Sequence, residues 1–319
     1  MKRTNERFGR IARKGLGALA LGLLLLTGCL EQEEAGSEVP SRLGINFIAE
    51  KRAENAGLDG TAGMLDDLAD LGAGCIRQAN GQDVCWFTIY QGGDYGDPDS
   101  YDFSGSDELI LGSAARGIQV IPTLFQIGGD SAVMNGAPDT KRLYTPDGEI
   151  LKVTDVYEFL HGTRSKVIDY VTVVASRYRD HVQYFECANE VMAYGSYSAN
   201  DYARLLICVK DALQAVDPDL KLVLGGLAGT EDVVFYHHLD WFEEVLEELE
   251  KLGGLDAIDV VNFHHYDEWK LLGAAVDALQ EVMDRFGLGD LPILASEIGS
   301  SYVAAEGPAH TEDGSEEDQ

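Results

Sequence analysis

YFECANEV, residues 184–191, begins as a buried strand and ends by setting an amide and a carboxylate side by side, Asn189 and Glu190. Whether that pair is a reaction centre or the polar end of a strand depends on the place of the strand in the chain. Outward from it, short apolar runs alternate with helical patterns. The strand candidates are RLGINF (42–47), GCIRQ (74–78), IQVIPTL (118–124), VQYFECA (182–188), KLVLGG (221–226), IDVVNFH (258–264) and LPILASE (291–297). Between them lie MLDDLADLG, DELILGSAARG, RSKVIDYVTVVASRYRD, DYARLLICVKDALQAV, LDWFEEVLEELEKLG and LLGAAVDALQEVMDRFG, with apolar residues at three- and four-residue intervals and often a closing glycine. Repeated βα units imply a parallel sheet, and seven of them point to an α/β (β/α)8 TIM barrel more than to a doubly wound sheet. No GxGxxG follows the first strand candidate, so nucleotide binding has no support. After Glu297 only 22 residues remain, too few for a further βα unit. The eighth unit is apparently missing, and C-terminal truncation is the expectation, with a seven-stranded or partner-completed barrel as the alternative.

The N-terminus reads as an export signal. Lys2, Arg3, Arg7, Arg10, Arg13 and Lys14 precede LGALALGLLLL, an apolar segment short for a bilayer span. LTGC then resembles a bacterial lipobox, which implies a signal over residues 1–28, lipidation of Cys29 and a polar tether over 29–41. Membrane attachment through that lipid and a place in the cell envelope follow as expectations. Leu30, where an Asp would retain such a lipoprotein at the inner membrane, favours the outer one.

The formal charge of −31, from 24 basic and 55 acidic residues, argues against a nucleic-acid partner, which needs a basic footprint. Residues 42–319 are long enough for one large barrel domain. Cys75, Cys85, Cys187 and Cys208 show no CxxC spacing; they could pair as disulfides or stay buried thiols.

In βα barrels the reactive residues gather at the C-terminal ends of strands. Two carboxylates stand there: Glu190 after the fourth strand and Glu297 after the seventh. Strand alternation groups Glu190 with Ala188 and Glu186, and Glu297 with Ala295 and Ile293, leaving small residues beneath each carboxylate. Two facing carboxylates suit acid/base and nucleophile chemistry on an acetal.

At these residues the chain resembles the clan A retaining glycoside hydrolases, similar to families 5, 39 and 42. Asn189-Glu190 matches the family's Asn-Glu at the fourth strand, Glu297 in PILASEIG the nucleophile at the seventh, and HHY (264–266) a His-x-Tyr at the sixth. Arg77 matches an arginine at the second strand. The resemblance implies that Glu190 is the acid/base, Glu297 the nucleophile held anionic by Arg77 and Tyr266, and Asn189 the partner of a sugar 2-hydroxyl. It implies an oligo- or polysaccharide substrate and no cofactor. Val191 stands where the family has proline, which leaves the loop after Glu190 less constrained.

Each residue has a plainer reading as well. Arg77 could pair with Glu186, Tyr266 could pack at the rim, and His264 could be structural rather than a substrate contact. Trp86, Trp241 and Trp269 could stack on sugar rings, Trp269 best of them, whereas Trp241 fits a helix core. His237-His238 and His264-His265 carry no metal-binding spacing. GGLAG (225–229) reads as a tight loop at the barrel mouth, and WFEEVLEELE as the solvated face of a helix. A glycan-binding lipoprotein without turnover is the alternative function.

Overall fold

A computed structural model describes residues 44–47, 60–78, 84–125, 164–191, 198–228, 232–266 and 269–298. The signal, Cys29 and the tether lie outside them. Seven strands appear in the described residues: β1 (Gly44–Phe47), β2 (Cys75–Gln78), β3 (Gln119–Pro122), β4 (Tyr184–Cys187), β5 (Lys221–Leu224), β6 (Val261–His265) and β7 (Ile293–Ile298). The helices are α1 (Gly60–Asp70), the single-turn α2 (Trp86–Ile89), α3 (Ser104–Ala114), α4 (Arg164–Tyr178), α5 (Ala199–Val216), α6 (Asp232–Leu252) and α7 (Leu272–Arg285). Every expected strand is present, one to three residues shorter than its apolar run.

The strands pair in parallel and in chain order: β1 with β2, β2 with β3, β4 with β5, β6 with β7. Single bridges carry the ring across the gaps, Thr123 to Glu186 between β3 and β4, and Val223 to Val260 between β5 and β6. Cα atoms of β7 return to within 8 Å of β1. The chain forms a TIM barrel with helices outside.

Two apolar layers follow from strand alternation. Inside, Cys75, Ile121, Tyr184, Val223 and Val260 pack together with Leu294, one residue from each of β2 to β7 or its foot. Outside, the opposite faces meet the helices: on α6, Phe242, Val245, Leu246 and Leu249 are buried while Glu244, Glu247 and Glu250 face solvent. That i, i+3, i+4, i+7 spacing is the helical period, and it confirms the acidic run as a solvated face. Helix α5 starts where the Ser198 hydroxyl accepts from the Asp201 N–H at 3.2 Å, satisfying a donor the helix cannot. The four cysteines Cys75, Cys85, Cys187 and Cys208 are buried as thiols.

Candidate active site

Two residues beyond each member of the inner apolar layer, the strands carry a second inward layer. It consists of Arg77, Thr123, Glu186, Gly225, Asn262 and Ser296, and it is polar. Glu186 is its centre and has no solvent exposure. Arg77 donates to it through Nε and Nη2, both at 2.7 Å, Thr123 through Oγ1 at 2.8 Å, Asn262 through Nδ2 at 2.8 Å, and Gly226 through its N–H at 3.1 Å. Five donors saturate the carboxylate's lone pairs, which is the condition for burying one.

Arg77 is the bridge from this floor to the cleft. Its Nη1 donates to Glu297 at 2.5 Å and its Nη2 also reaches Asn189 Oδ1 at 2.6 Å. The two readings of Arg77, partner of Glu186 or neighbour of Glu297, are thus both true of one guanidinium. Burial works against its charge, but the two carboxylates together outweigh that and raise its pKa. Because guanidinium only donates, Asn189 must turn Oδ1 toward Arg77, so its amide N–H2 points the other way.

Glu190 does not reach the cleft by alternation. Strand β4 ends at Cys187, and Ala188 and Glu190 both adopt left-handed backbone, with φ of 69° and 45°. Each such residue costs about 1–2 kcal/mol outside glycine. The turn sends Ala188 outward into the helix-facing core and brings Asn189 and Glu190 over the floor, so the expected shared face of Glu186, Ala188 and Glu190 is not formed. The surroundings hold the turn in place. Tyr202 of α5 donates its hydroxyl to Cys187 O at 2.7 Å and accepts from the Gly225 N–H at 2.9 Å. Val191 is fully buried, so burial fixes the chain directly after Glu190.

Glu297 arrives by a different device. Ile293 and Ala295 belong to the outer core, with Leu294 on the inner side. Plain alternation would therefore turn Glu297 toward the helices, opposite to the expectation that Ala295 lies beneath it in the cleft. A bulge prevents this: Phe263 pairs with Ala295 but His264 pairs with Glu297, leaving Ser296 as an extra residue in β7. An inserted residue shifts the side-chain phase by one. Glu297 then shares the face of His264.

Carboxylate oxygens of Glu190 and Glu297 and a ring nitrogen of His264 lie within 4.8 Å of one another. His264 Nδ1 is 2.8 Å from Glu190 Oε1 and 3.6 Å from Glu297 Oε2, while Nε2 faces Ser296 Oγ at 3.2 Å. Tyr266 donates its hydroxyl to Glu297 Oε2. Burial pushes the carboxyl of Glu190 above its ordinary range, against the opposing fields of Arg77 and His238. Burial, helped by Arg77, pulls His264 down to about 4, so the ring is neutral near pH 7. The Tyr266 hydroxyl is raised by burial and by its bond to Glu297, so it remains a donor.

One imidazole and two carboxylates could share a divalent ion. Here Arg77 and Tyr266 engage both oxygens of Glu297, and Glu190 and Ser296 engage both nitrogens of His264.

Of the aromatic candidates, Trp86 is buried among Tyr95, Phe125 and Tyr170, which removes it from any sugar. Trp241 packs against Tyr202 in the half-buried face of α6, as its helical setting suggested. The side chain of Trp269 lies outside the described residues. GGLAG is more than a loop. A Cβ on Gly225 would stand 2.5 Å from Ala188 O, and one on Gly226 2.0 Å from His264 Nε2. Thr123, Asn262, Ser296 and these glycines were not among the expected site residues. The mark of Thr123, Asn262, Ser296 and Gly225 in the sequence is a polar or absent side chain two positions after an inward apolar one.

No family model matches the chain, and no curated protein matches its sequence. Solved structures do. A glucosidase from Croceicoccus marinus superposes with a TM-score of 0.60 at 14% identity, covering 83% of this chain and 53% of the glucosidase. A GH10 xylanase from Thermobacillus composti gives 0.52 at 16% identity, over 80% of this chain and 71% of the xylanase. A monomeric β-xylosidase from Caulobacter crescentus gives 0.53 at 19%, over 81% of this chain and 52% of the xylosidase. The chain thus spans about half the length of two of these enzymes. At such identities the likeness establishes the barrel fold alone.

Proposed function

We propose that the chain is a retaining glycoside hydrolase that cleaves a β-linked oligo- or polysaccharide by double displacement, with Glu297 as nucleophile and Glu190 as acid/base. The observation that carries this reading is the placement of the Glu190 and Glu297 carboxylate oxygens within 4.8 Å at the ends of β4 and β7. Retaining enzymes hold their carboxyls about 5–5.5 Å apart, whereas inversion needs room for a water between them. A binding protein has no need of that spacing.

The residues divide the chemistry. Glu190, its pKa raised by burial, donates a proton to the leaving oxygen, while Glu297, fixed by Arg77 and Tyr266, attacks the anomeric carbon. Forming the glycosyl ester removes the negative charge from Glu297, which favours ionisation of Glu190 beside it. Glu190 then takes a proton from the attacking water. Asn189, its oxygen held by Arg77, offers its amide N–H2 to the sugar 2-hydroxyl. His264 supports Glu190, and Trp269 is a candidate platform for a sugar ring.

The N-terminal lipobox pattern supports an envelope lipoprotein held through lipid on Cys29, with the outer membrane favoured by Leu30. Among the described residues no helix is long and apolar enough to cross a membrane.

The test is hydrolysis of a panel of aryl β-glycosides by the full-length protein, beside Glu190→Gln and Glu297→Gln. We expect release of the aryl alcohol by the wild type, a loss of at least about 10³-fold in Glu297→Gln, and product of retained configuration by NMR. Variants as active as the wild type, or inverted product, would sink the assignment.

A further inference from the structure

The contacts of His264 form a line. Ser296 Oγ meets Nε2 at 3.2 Å on one edge of the ring, and Glu190 Oε1 meets Nδ1 at 2.8 Å on the other. His264 is fully buried, and Gly226 lies so close that a methyl there would stand 2.0 Å from Nε2. The ring is thus held in one orientation, with one hydrogen-bond partner on each nitrogen. A neutral imidazole has one N–H and one lone pair, so its two partners must present opposite roles. A serine hydroxyl can rotate to give or to take. A carboxyl gives when protonated and takes when ionised.

We propose that Ser296, His264 and Glu190 form a tautomer switch, in which the imidazole changes the nitrogen bearing its proton whenever Glu190 passes between acid and base. The purpose of the switch rests on the glycosidase reading, but its geometry does not. With Glu190 protonated, its O–H donates to Nδ1 and Nε2–H donates to Ser296 Oγ. With Glu190 ionised, Nδ1–H donates to the carboxylate and the serine O–H donates to Nε2. One proton separates the two states, and in the reaction it leaves on the aglycone oxygen. The imidazole keeps one proton throughout: the one lost from Nε2 passes through the serine hydroxyl to solvent, and the one gained at Nδ1 enters through Glu190, whose side chain is 20% exposed.

A fixed tautomer would serve only half of the catalytic cycle, since it would face either the acid or the base form of Glu190 with the wrong partner. A cationic ring would serve the base form alone. Burial and the facing Arg77 hold the ring neutral, although Glu297 and Glu186 pull the other way. Arg77 and His238 also act on Glu190, and Tyr266 lies in the field of both cleft carboxylates. The same Ser–His–carboxylate connectivity occurs in acyl-transfer triads. Here, however, the backbone N–H of Ser296 is engaged by Asn262 Oδ1 at 3.2 Å, and the residue sits in the polar floor behind the ring. That placement suits a hydrogen-bond partner better than a nucleophile.

The test is NMR of the full-length protein labelled with 15N-histidine, with His264→Gln assigning the resonances and no substrate present. Over a pH series above the titration of the ring itself, we expect the N–H to move from Nε2 to Nδ1 as Glu190 ionises. In Glu190→Gln the tautomer should not depend on pH. An N–H that stays on one nitrogen, or a ring that becomes doubly protonated over that range, overturns the switch whether or not the protein cleaves glycosides. If the wild type does cleave them, Ser296→Ala leaves a buried Nε2–H without a partner and disfavours the acid state. The alkaline limb of kcat/KM should then fall by about one pH unit, and Ser296→Thr, which keeps the hydroxyl, should restore it. An unmoved limb in Ser296→Ala, or labelling of Ser296 by a fluorophosphonate, overturns the proposal.

Discussion

Gly226→Ala is the smallest change that should disable the site without removing a polar group. The Cβ it adds would meet His264 at 2.0 Å from Nε2, 2.5 Å from Cδ2 and 2.7 Å from Cε1. Ordinary contact begins at 3.4 Å, so the ring must withdraw by about 1.4 Å. It cannot yield by bending a flexible tip, because imidazole is rigid and His264 lies on β6 with no solvent exposure. Such a displacement would pull Nε2 away from Ser296 Oγ, now at 3.2 Å, and drive Nδ1 out of its 2.8 Å alignment with Glu190. Overpacking of this kind costs about 1–3 kcal/mol, and the lost bond to a carboxyl about 1.5–3 kcal/mol, with part of each relieved by relaxation. In catalysis, a misplacement of about 1 Å costs on the order of 10²-fold. We expect Gly226→Ala to fold with a lower urea midpoint and to lose about 10²-fold in kcat, and Gly226→Ser to behave no better. Thermal melts and initial rates on the aryl glycoside cleaved by the wild type would measure both. Full activity in Gly226→Ala would refute the close approach and with it the claim that His264 is held rigidly.

Three further outcomes are expected. Arg77→Met should destabilise by about 3–5 kcal/mol in urea unfolding, because it strands the buried Glu186, and adding Glu186→Leu should recover part of that loss; a double variant weaker than the single one would contradict it. His264 titrates near 4 when folded against 6.5 when unfolded, so the unfolded chain binds the extra proton first. Its contribution is therefore whole above pH 6.5 and falls away as pH drops toward 4, by up to about 3 kcal/mol; urea titrations from pH 7 to pH 4 should lose that slope in His264→Gln. Glu190 has the opposite sign. Its raised pKa stabilises the fold at low pH and is lost as pH rises above 4.5 and through the folded value, so Glu190→Gln should be more stable than the wild type at pH 8, with the gap closing toward pH 4.

The barrel was legible because a parallel sheet buried on both faces writes continuous apolar runs, and QVIP and KLVL come close to it, with helices of clear period between the strands. Asn189, Glu190, Glu297, Arg77, His264 and Tyr266 were legible by type and strand number, and they do converge. Their orientation was not. Alternation assumes an unbroken pleat, and both carboxylates sit where the pleat breaks, Glu190 after left-handed Ala188 and Glu297 after the bulged Ser296. No residue type announces either break. Alanine does not favour positive φ, and serine is unremarkable in a strand. Tertiary partners decide them: Tyr202 and Gly225 hold the end of β4, and the Asn262 side chain accepts from the displaced Ser296 N–H at 3.2 Å.

The charge arrangement accounts for the proposed choice of Glu190 as the acid. Glu186, Glu190 and Glu297 crowd around a single guanidinium, and that many carboxylates cannot all be matched by one positive charge at short range. Glu186 takes two donors from Arg77 and three more from Thr123, Asn262 and Gly226. Glu297 takes the third arginine donor and the Tyr266 hydroxyl. Glu190 has the neutral ring of His264 in the same cluster, a partner that can accept a proton as readily as give one. Of the three, it is the carboxyl whose neutral form the surroundings can satisfy, and burial then raises its pKa. On the proposed glycosidase reading, the floor of the barrel thereby selects which glutamate is the acid: Arg77 is committed to Glu186 and Glu297 by fork geometry, and the residue left facing imidazole is the one whose pKa burial raises.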